Sequence, residues 1–222
     1  PIEMGADIVI HSTTKYLSGH GNALGGVVVD SGKFDWDSSR FDDFKPFVDL
    51  KGDLAFTFRM FKEYHINFGT TAAPMHAYLT CTGLSTLGLR MERHMSNAVT
   101  VAQFLKGHPK VEWIHYAGLE DHVSHDLAKK QFNGNGFGAM LAFGLKDQDN
   151  CFKLVDSLDM ILNLANLGDC KTLIIHPYSS QYVTFPEDLK NKLADPTLLR
   201  LSVGIEHPDD ICRDLGQALK KV

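Results

Sequence analysis

The sequence predicts an α/β fold. Three observations carry that prediction: apolar, β-branched runs of strand length, helical periodicity closed by Pro and Gly, and alternation of the two along 222 residues. Hydrophobic residues make up 44% and charged residues 22%, ordinary for a globular chain that buries one large core or two modest ones. No apolar run approaches the roughly 18 residues a membrane helix needs. A net charge of −5 without a Lys/Arg block argues against nucleic acid or an anionic membrane as partner. Cys81, Cys151, Cys170 and Cys212 show neither a CxxC pair nor metal-ligand spacing, as expected of reduced thiols in a cytoplasmic protein. No basic stretch leading into an apolar one opens the chain, so no signal peptide is read.

The elements follow in order. ADIVIH, residues 6–11, reads as a buried strand. A polar loop from Ser12 to Gly25 comes next, then a second buried run from Gly26 to Val29. Residues from about 31 to 68 are rich in Phe and Trp but poorly periodic. They predict an ordered excursion with a little helix, because rings at that density do not stay solvated. Pro74 to Gly83 predicts a helix with Pro near its start and Gly at its end. Leu84, Leu87, Met91, Ala98, Ala102 and Leu105 recur at helical spacing and predict a longer helix over 84–105, stopped by Gly107 and Pro109. Beyond Pro109 the elements are short: strands at 111–116, 139–145, 173–176 and 198–203, helices at 151–158, 186–193 and 208–222. The last helix is packed by Ile211, Leu215 and Leu219. A domain boundary is expected near Gly107, dividing residues 1–108 from 109–222.

The segment richest in chemistry is HSTTKYLSGHGN, residues 11–22. It sets Lys15 directly after a strand, where open α/β sheets bind ligands. Hydroxyls stand at Ser12 and Thr14 and glycines at Gly19 and Gly21. A lysine that condenses with an aldehyde must be able to shed its proton, which partial burial favours. A phosphate needs short hydroxyl donors and close backbone approach. On these residues alone, a surface lysine in a glycine-containing loop remains an equal reading. Two other readings fail. Ser12-Thr13-Thr14-Lys15 matches SxxK, but that motif opens a helix and is accompanied by SDN and KTG, which the sequence lacks. Gly19-His20-Gly21 resembles the start of GxGxxG, but the third glycine falls one place late, at Gly25, and leads into a strand-like run.

The segment from Gly5 to Gly26, with GADIVIHSTTKYLSGHGN at its centre, resembles the lysine signature of the Cys/Met metabolism family of pyridoxal-phosphate enzymes. The resemblance continues through GLSTL (83–87), LRMERH (89–94) with Asn97-Ala98, YAGL (116–119), NLGD (166–169) and LRLSVGIE (199–206). It implies a fold-type-I architecture: the C-terminal part of a large cofactor domain plus a small C-terminal α/β domain, within a homotetramer. It implies pyridoxal 5'-phosphate as cofactor and an amino acid as substrate. Lys15 matches the cofactor-bearing lysine, Ser12 and Thr14 the hydroxyls that hold the phosphate, and Arg200 the arginine that grips the substrate α-carboxylate. Asn166 stands where many relatives have a serine near substrate and lysine. The insert between the Asp30–Lys33 turn and Phe68, with the wording NLGDCKTLIIHP and RLSVGIEH, resembles the branch that replaces the acetoxy group of O-acetylhomoserine with sulfide. A γ-lyase or cystathionine γ-synthase is the alternative. Relatives carry the aspartate for the pyridine nitrogen, the ring-stacking aromatic and a glycine-rich phosphate loop upstream of the matched region. The expectation is therefore a portion of an enzyme, completed by an N-terminal half or a companion chain. By itself this portion is expected to be inactive, and it could persist as a non-catalytic subunit.

Other residues carry weaker signals. Arg200 alternates with Leu199, Leu201 and Val203, so a strand would turn it away from the apolar side, where a structural ion pair is an equal reading of the pattern. His115, His122 and His125 lack the further ligands of a zinc signature, and no metal is expected. Arg90, Arg93 and His94, at helical spacing near the domain junction, suggest a structural network. Phe34, Trp36, Phe41, Phe44 and Phe47 suggest core or subunit interface, with the lining of an active-site entrance as the lesser reading.

Overall fold

The structure is a computed structural model describing residues 1–37 and 39–222. Contacts divide the chain into two compact units, one of Pro1–Thr14 with Ala23–Cys81, the other of Lys15–Asn22 with Thr82–Val222.

In the first unit, β1 (Ile8–Ser12) and β2 (Gly26–Asp30) form an antiparallel ribbon, with Ile8 opposite Asp30 and Ser12 opposite Gly26. The β-branched run makes the strands as predicted, but neither is buried. Ile10 is 74% exposed, and Val27, Val28 and Val29 are each exposed as well. β-Branched sequence specifies extended backbone; burial needs a covering layer, and this two-stranded ribbon has none among the described residues. The insert is more helical than its sequence suggests. It contains α1 (Lys45–Lys51), α2 (Ala55–Arg59) and α3 (Ile66–Phe68), with a wide helical turn, Met60–His65, joining the last two. Trp36 organises it, stacking on Phe44 at 4.3 Å and on Phe56 at 5.4 Å, with Phe34 and Phe41 tilted against it. Arg59 lies over the Phe44 ring at 4.3 Å and pairs with Asp43 and Glu63. The aromatic residues are thus each other's partners, and that mutual packing replaces the periodicity the sequence lacks.

A helix, α4 (Pro74–Leu84), leads into the second unit, where α5 (Leu87–Lys106) runs close to the predicted span. Then follow β3 (Trp113–His115), α6 (His125–Gln131), β4 (Met140–Gly144), α7 (Gln148–Asp156), β5 (Leu162–Asn163) and β6 (Leu173–Ile175). The chain ends with α8 (Pro177–Ser180), α9 (Glu187–Leu193), β7 (Leu198–Ser202) and α10 (Pro208–Leu219). The sheet order is β3-β4-β7-β6-β5, antiparallel except between β5 and β6. One face is sealed. Ala98, Val101, Ala102 and Leu105 of α5 and Ile211, Leu215 and Leu219 of α10 join Leu141, Phe143, Leu199 and Leu201 in one buried core. Alternation along β7 then turns Arg200 to the opposite face. No helix among the described residues is long and apolar enough to cross a membrane.

Candidate active site

Lys15 lies in a wide turn, Thr13–Leu17, whose helical path breaks at the lysine (φ −92°, ψ −134°). Its Nζ donates to Asn166 Oδ1 at 2.5 Å across 151 residues of sequence. Asn166 sits between β5 and β6, its N–H bonded to Leu164 O at 2.8 Å. Two places later Gly168 adopts φ +73°, packs against Tyr16 and donates its N–H to Ser202 Oγ at 3.0 Å. The loop carrying Asn166 is thereby tied to the end of β7.

Arg200, in the middle of β7, reaches the same asparagine from another side. Its Nη2 donates to the Asn166 main-chain oxygen at 3.4 Å, and its Nη1 donates to Gln181 Oε1 at 3.2 Å. Burial lowers the guanidinium's pKa, with Tyr182 acting in the opposite direction. No Asp or Glu among the described residues pairs with Arg200, so the structural ion pair that its alternation allowed is not formed. A half-buried cation held only by neutral oxygens has capacity left for a planar anion.

The turn after the lysine is half-buried at Tyr16 and Leu17 and buried at Ser18 and Gly19. The Tyr16 ring meets His94 edge to face at 5.4 Å. Burial pushes the Tyr16 hydroxyl's pKa up, with Ser202 working against it. His94 Nδ1 lies 2.7 Å from Val203 O, which makes Nδ1 the protonated nitrogen of the neutral ring, and burial lowers its pKa.

Lys15, Asn166 and Arg200 therefore come together within one unit. Ser12 and Thr14 belong to the ribbon unit: Ser12 pairs with Gly26, and Thr14 Oγ1 accepts from Gly25 N–H at 3.1 Å. Gln181 and Ser202 had no signal in the sequence, since a polar side chain at a helix end or strand end is commonplace. His115 and His122 meet at right angles, 6.0 Å between centroids, and His125 stacks on Phe137. Among the described residues no three His, Cys, Asp or Glu side chains form a metal-holding group. A concavity of about 760 Å³ between α5 and α6, lined by residues including Gln103, Lys106, His125 and Lys129, contains none of the site residues.

Solved structures share this architecture. A Campylobacter jejuni chain described as an O-acetylhomoserine (thiol)-lyase, with N'-pyridoxyl-lysine-5'-monophosphate, superposes with TM-score 0.90 at 33% identity, covering 99% of this chain and 55% of that one. Cystathionine gamma synthase from Xanthomonas oryzae pv. oryzae gives TM-score 0.80 at 33% identity, covering 100% and 51%. The fold is that of the fold-type-I pyridoxal-phosphate enzymes. The Cys/Met metabolism PLP-dependent enzyme pattern matches residues 1–220, and the chain belongs to that family. Its relatives include the homocysteine synthase of Schizosaccharomyces pombe, 46% identical over 99% of this chain, and the O-acetyl-L-homoserine sulfhydrylase of Leptospira meyeri, 38% identical over 100%. The chain spans about half the length of the curated relatives it matches, 54% of each of these two.

Proposed function

We propose that this chain is the lysine-bearing and C-terminal portion of an O-acetylhomoserine sulfhydrylase, replacing the γ-acetoxy group of O-acetylhomoserine with sulfide to give homocysteine and acetate. The observation that supports this most directly is the convergence on one asparagine of an amine and a guanidinium that has no carboxylate partner among the described residues. These groups fit the cofactor and an amino-acid substrate: Lys15 offers a primary amine to an aldehyde, and Arg200 offers two N–H donors to a carboxylate. Ser12 and Thr14 supply hydroxyls for the phosphate in this reading. Pyridoxal 5'-phosphate, when bound, supplies a ring that withdraws electrons from the substrate's α-carbon.

The chain's own residues do the rest. Lys15 Nζ would hold the cofactor, and its free amine would take the substrate's α-proton and later move a β-proton. Asn166 Oδ1 aims the amine, and its main-chain oxygen holds Arg200 beside it. Arg200 fixes the α-carboxylate and so the direction of the α-C–H bond. In the same reading residues 1–108 are the C-terminal part of the cofactor domain and residues 109–222 the small domain. The remaining cofactor contacts come from the part of the relatives this chain does not match, joined to it or on a companion chain. The assembly is a cytoplasmic homotetramer.

The test uses the complete enzyme containing this chain, assayed with O-acetylhomoserine and sulfide. Lys15→Ala should abolish turnover while leaving the thermal melt of the cofactor-free protein unchanged; substantial residual activity would overturn the assignment. Arg200→Ala should mainly raise KM for the amino acid, with about 2–4 kcal/mol lost in kcat/KM. The likeness to cystathionine gamma synthase keeps a second reading, a γ-synthase or γ-lyase. Turnover of cystathionine or methionine in preference to O-acetylhomoserine with sulfide would select the γ-lyase, and cystathionine formed from O-acetylhomoserine and cysteine the γ-synthase.

A further inference from the structure

One stripe of α5 carries Arg90, His94 and Asn97, at spacings of four and three residues, and all three are buried. Arg90 Nη1 donates to Tyr16 O at 2.9 Å, Nη2 to Gly83 O at 2.8 Å and Nε to Thr86 Oγ1 at 3.1 Å. One turn on, His94 Nδ1 donates to Val203 O. Asn97 Nδ2 then donates to Gly204 O at 3.0 Å and Glu206 O at 2.8 Å. The N-terminal end of the stripe thus holds the residue that follows Lys15. Its other end holds the residues that leave β7, the strand of Arg200.

A buried guanidinium is costly unless its donors are satisfied. Arg90 meets that condition without a carboxylate among the described residues, on two carbonyls and a hydroxyl gathered around the lysine turn. The turn is shaped to receive it. Gly19 has φ +71°, and a Cβ there would collide with the guanidinium. A Cβ at Gly83 would collide with the Leu17 and Ser18 carbonyls. Gly19 also accepts from Cys170 N–H at 2.9 Å and donates to Lys15 O at 2.8 Å, which closes the turn.

We propose that Arg90 is a positioning residue for Lys15. Through the Tyr16 carbonyl it fixes the lysine turn, and through the α5 stripe it keeps that turn in register with β7, so that amine and carboxylate-binding guanidinium hold one separation. The inference rests on the reading of Lys15 and Arg200 given above. A lysine that moves protons must be held within a fraction of an ångström of its path, and a turn anchored through backbone carbonyls meets that demand.

The experiment compares Arg90→Lys and Thr86→Val with the parent in the complete enzyme. It reads kcat and KM for the amino acid, and amide hydrogen exchange in the cofactor-free protein. An ammonium cannot span both carbonyls. Arg90→Lys should therefore lower kcat about tenfold or more while KM stays within about twofold. Exchange should accelerate in the peptide covering 15–22 and stay at the parent rate in β4 and β7. Thr86→Val, which removes one of three acceptors, should show the same pattern at about threefold. Should Arg90→Lys fail to fold, the Thr86 variant decides by the same readings. Unchanged exchange at 15–22 with unchanged kcat overturns the proposal, as does acceleration spread equally through β4 and β7. A separate control labels Lys15 with pyridoxal 5'-phosphate and borohydride, read by peptide mass spectrometry. Absence of label in the parent sinks the reading of Lys15 itself. Label in the parent, with variants that behave like it, sinks only the role of Arg90.

Discussion

Asp214 is a buried carboxylate on α10 that accepts three consecutive main-chain N–H groups, from Asp159 at 2.9 Å, Met160 at 3.0 Å and Ile161 at 2.8 Å. Burial by itself would raise its pKa. The amide donors, helped by Gln217, outweigh burial and bring it below the ordinary value of 3.8. Because the folded pKa lies below the unfolded one, the carboxylate's contribution to stability is present above about pH 4 and is lost as pH falls through the folded value. Asp214→Ala should destabilise the fold by about 2–3 kcal/mol at neutral pH, since it strands three main-chain donors, that of Ile161 buried. The difference from the parent should shrink as acid-unfolding curves are taken below pH 4; a constant difference would show that the carboxylate's charge is not involved. Arg200 presents the converse arrangement: a charged group whose hydrogen-bond partners among the described residues are the neutral oxygens of Gln181 and Asn166. That contrast motivates the carboxylate-binding role proposed for Arg200.

At the scale of elements, the insert behaves as a small aromatic assembly. Trp36 touches four rings, Phe34, Phe41, Phe44 and Phe56, and the helices α1 and α2 are held together through Phe44 and Phe56. Trp36→Ala should destabilise the first unit by about 2–6 kcal/mol, on the basis of about 0.5–1.5 kcal/mol for each of its four ring pairs. Hydrogen exchange should rise in residues 39–68 and not in the sheet of the second unit; uniform acceleration of both would refute a self-contained cluster. The helix α5 works differently. Its apolar face reads directly as period and builds the core, whereas its polar residues were legible only as a spacing. Arg90 and Tyr16 are 74 residues apart, and nothing local to either predicts their bond. Among the strands, β4 and β7 were legible because short apolar runs stand between turn formers. β5, of two residues, carries no periodicity to read. α6, seven mostly polar residues, and α8, a single turn, were missed for the related reason that short polar helices look like loops.

For the whole molecule, the family was legible because its lysine signature is local. Lys15, its flanking hydroxyls and its glycines lie within a dozen residues, and several family segments follow in register to residue 206. Fold class followed for the same reason, since strand and helix preferences are properties of neighbouring residues. Burial did not follow. The run IVIHS specifies an extended strand in any setting, but whether its side chains meet water depends on what lies over them, and here Ile10 is 74% exposed. The sequence alone determined most of the elements, their order and the presence of an amine and a guanidinium suited to a pyridoxal-phosphate enzyme. Only tertiary structure decided that Asn166 joins that amine to Arg200, that Arg200 has no carboxylate partner among the described residues, and that Arg90 holds the lysine turn. Each of those facts depends on distances between segments dozens to more than a hundred residues apart, and such distances are set by the packing of the core rather than by local preference.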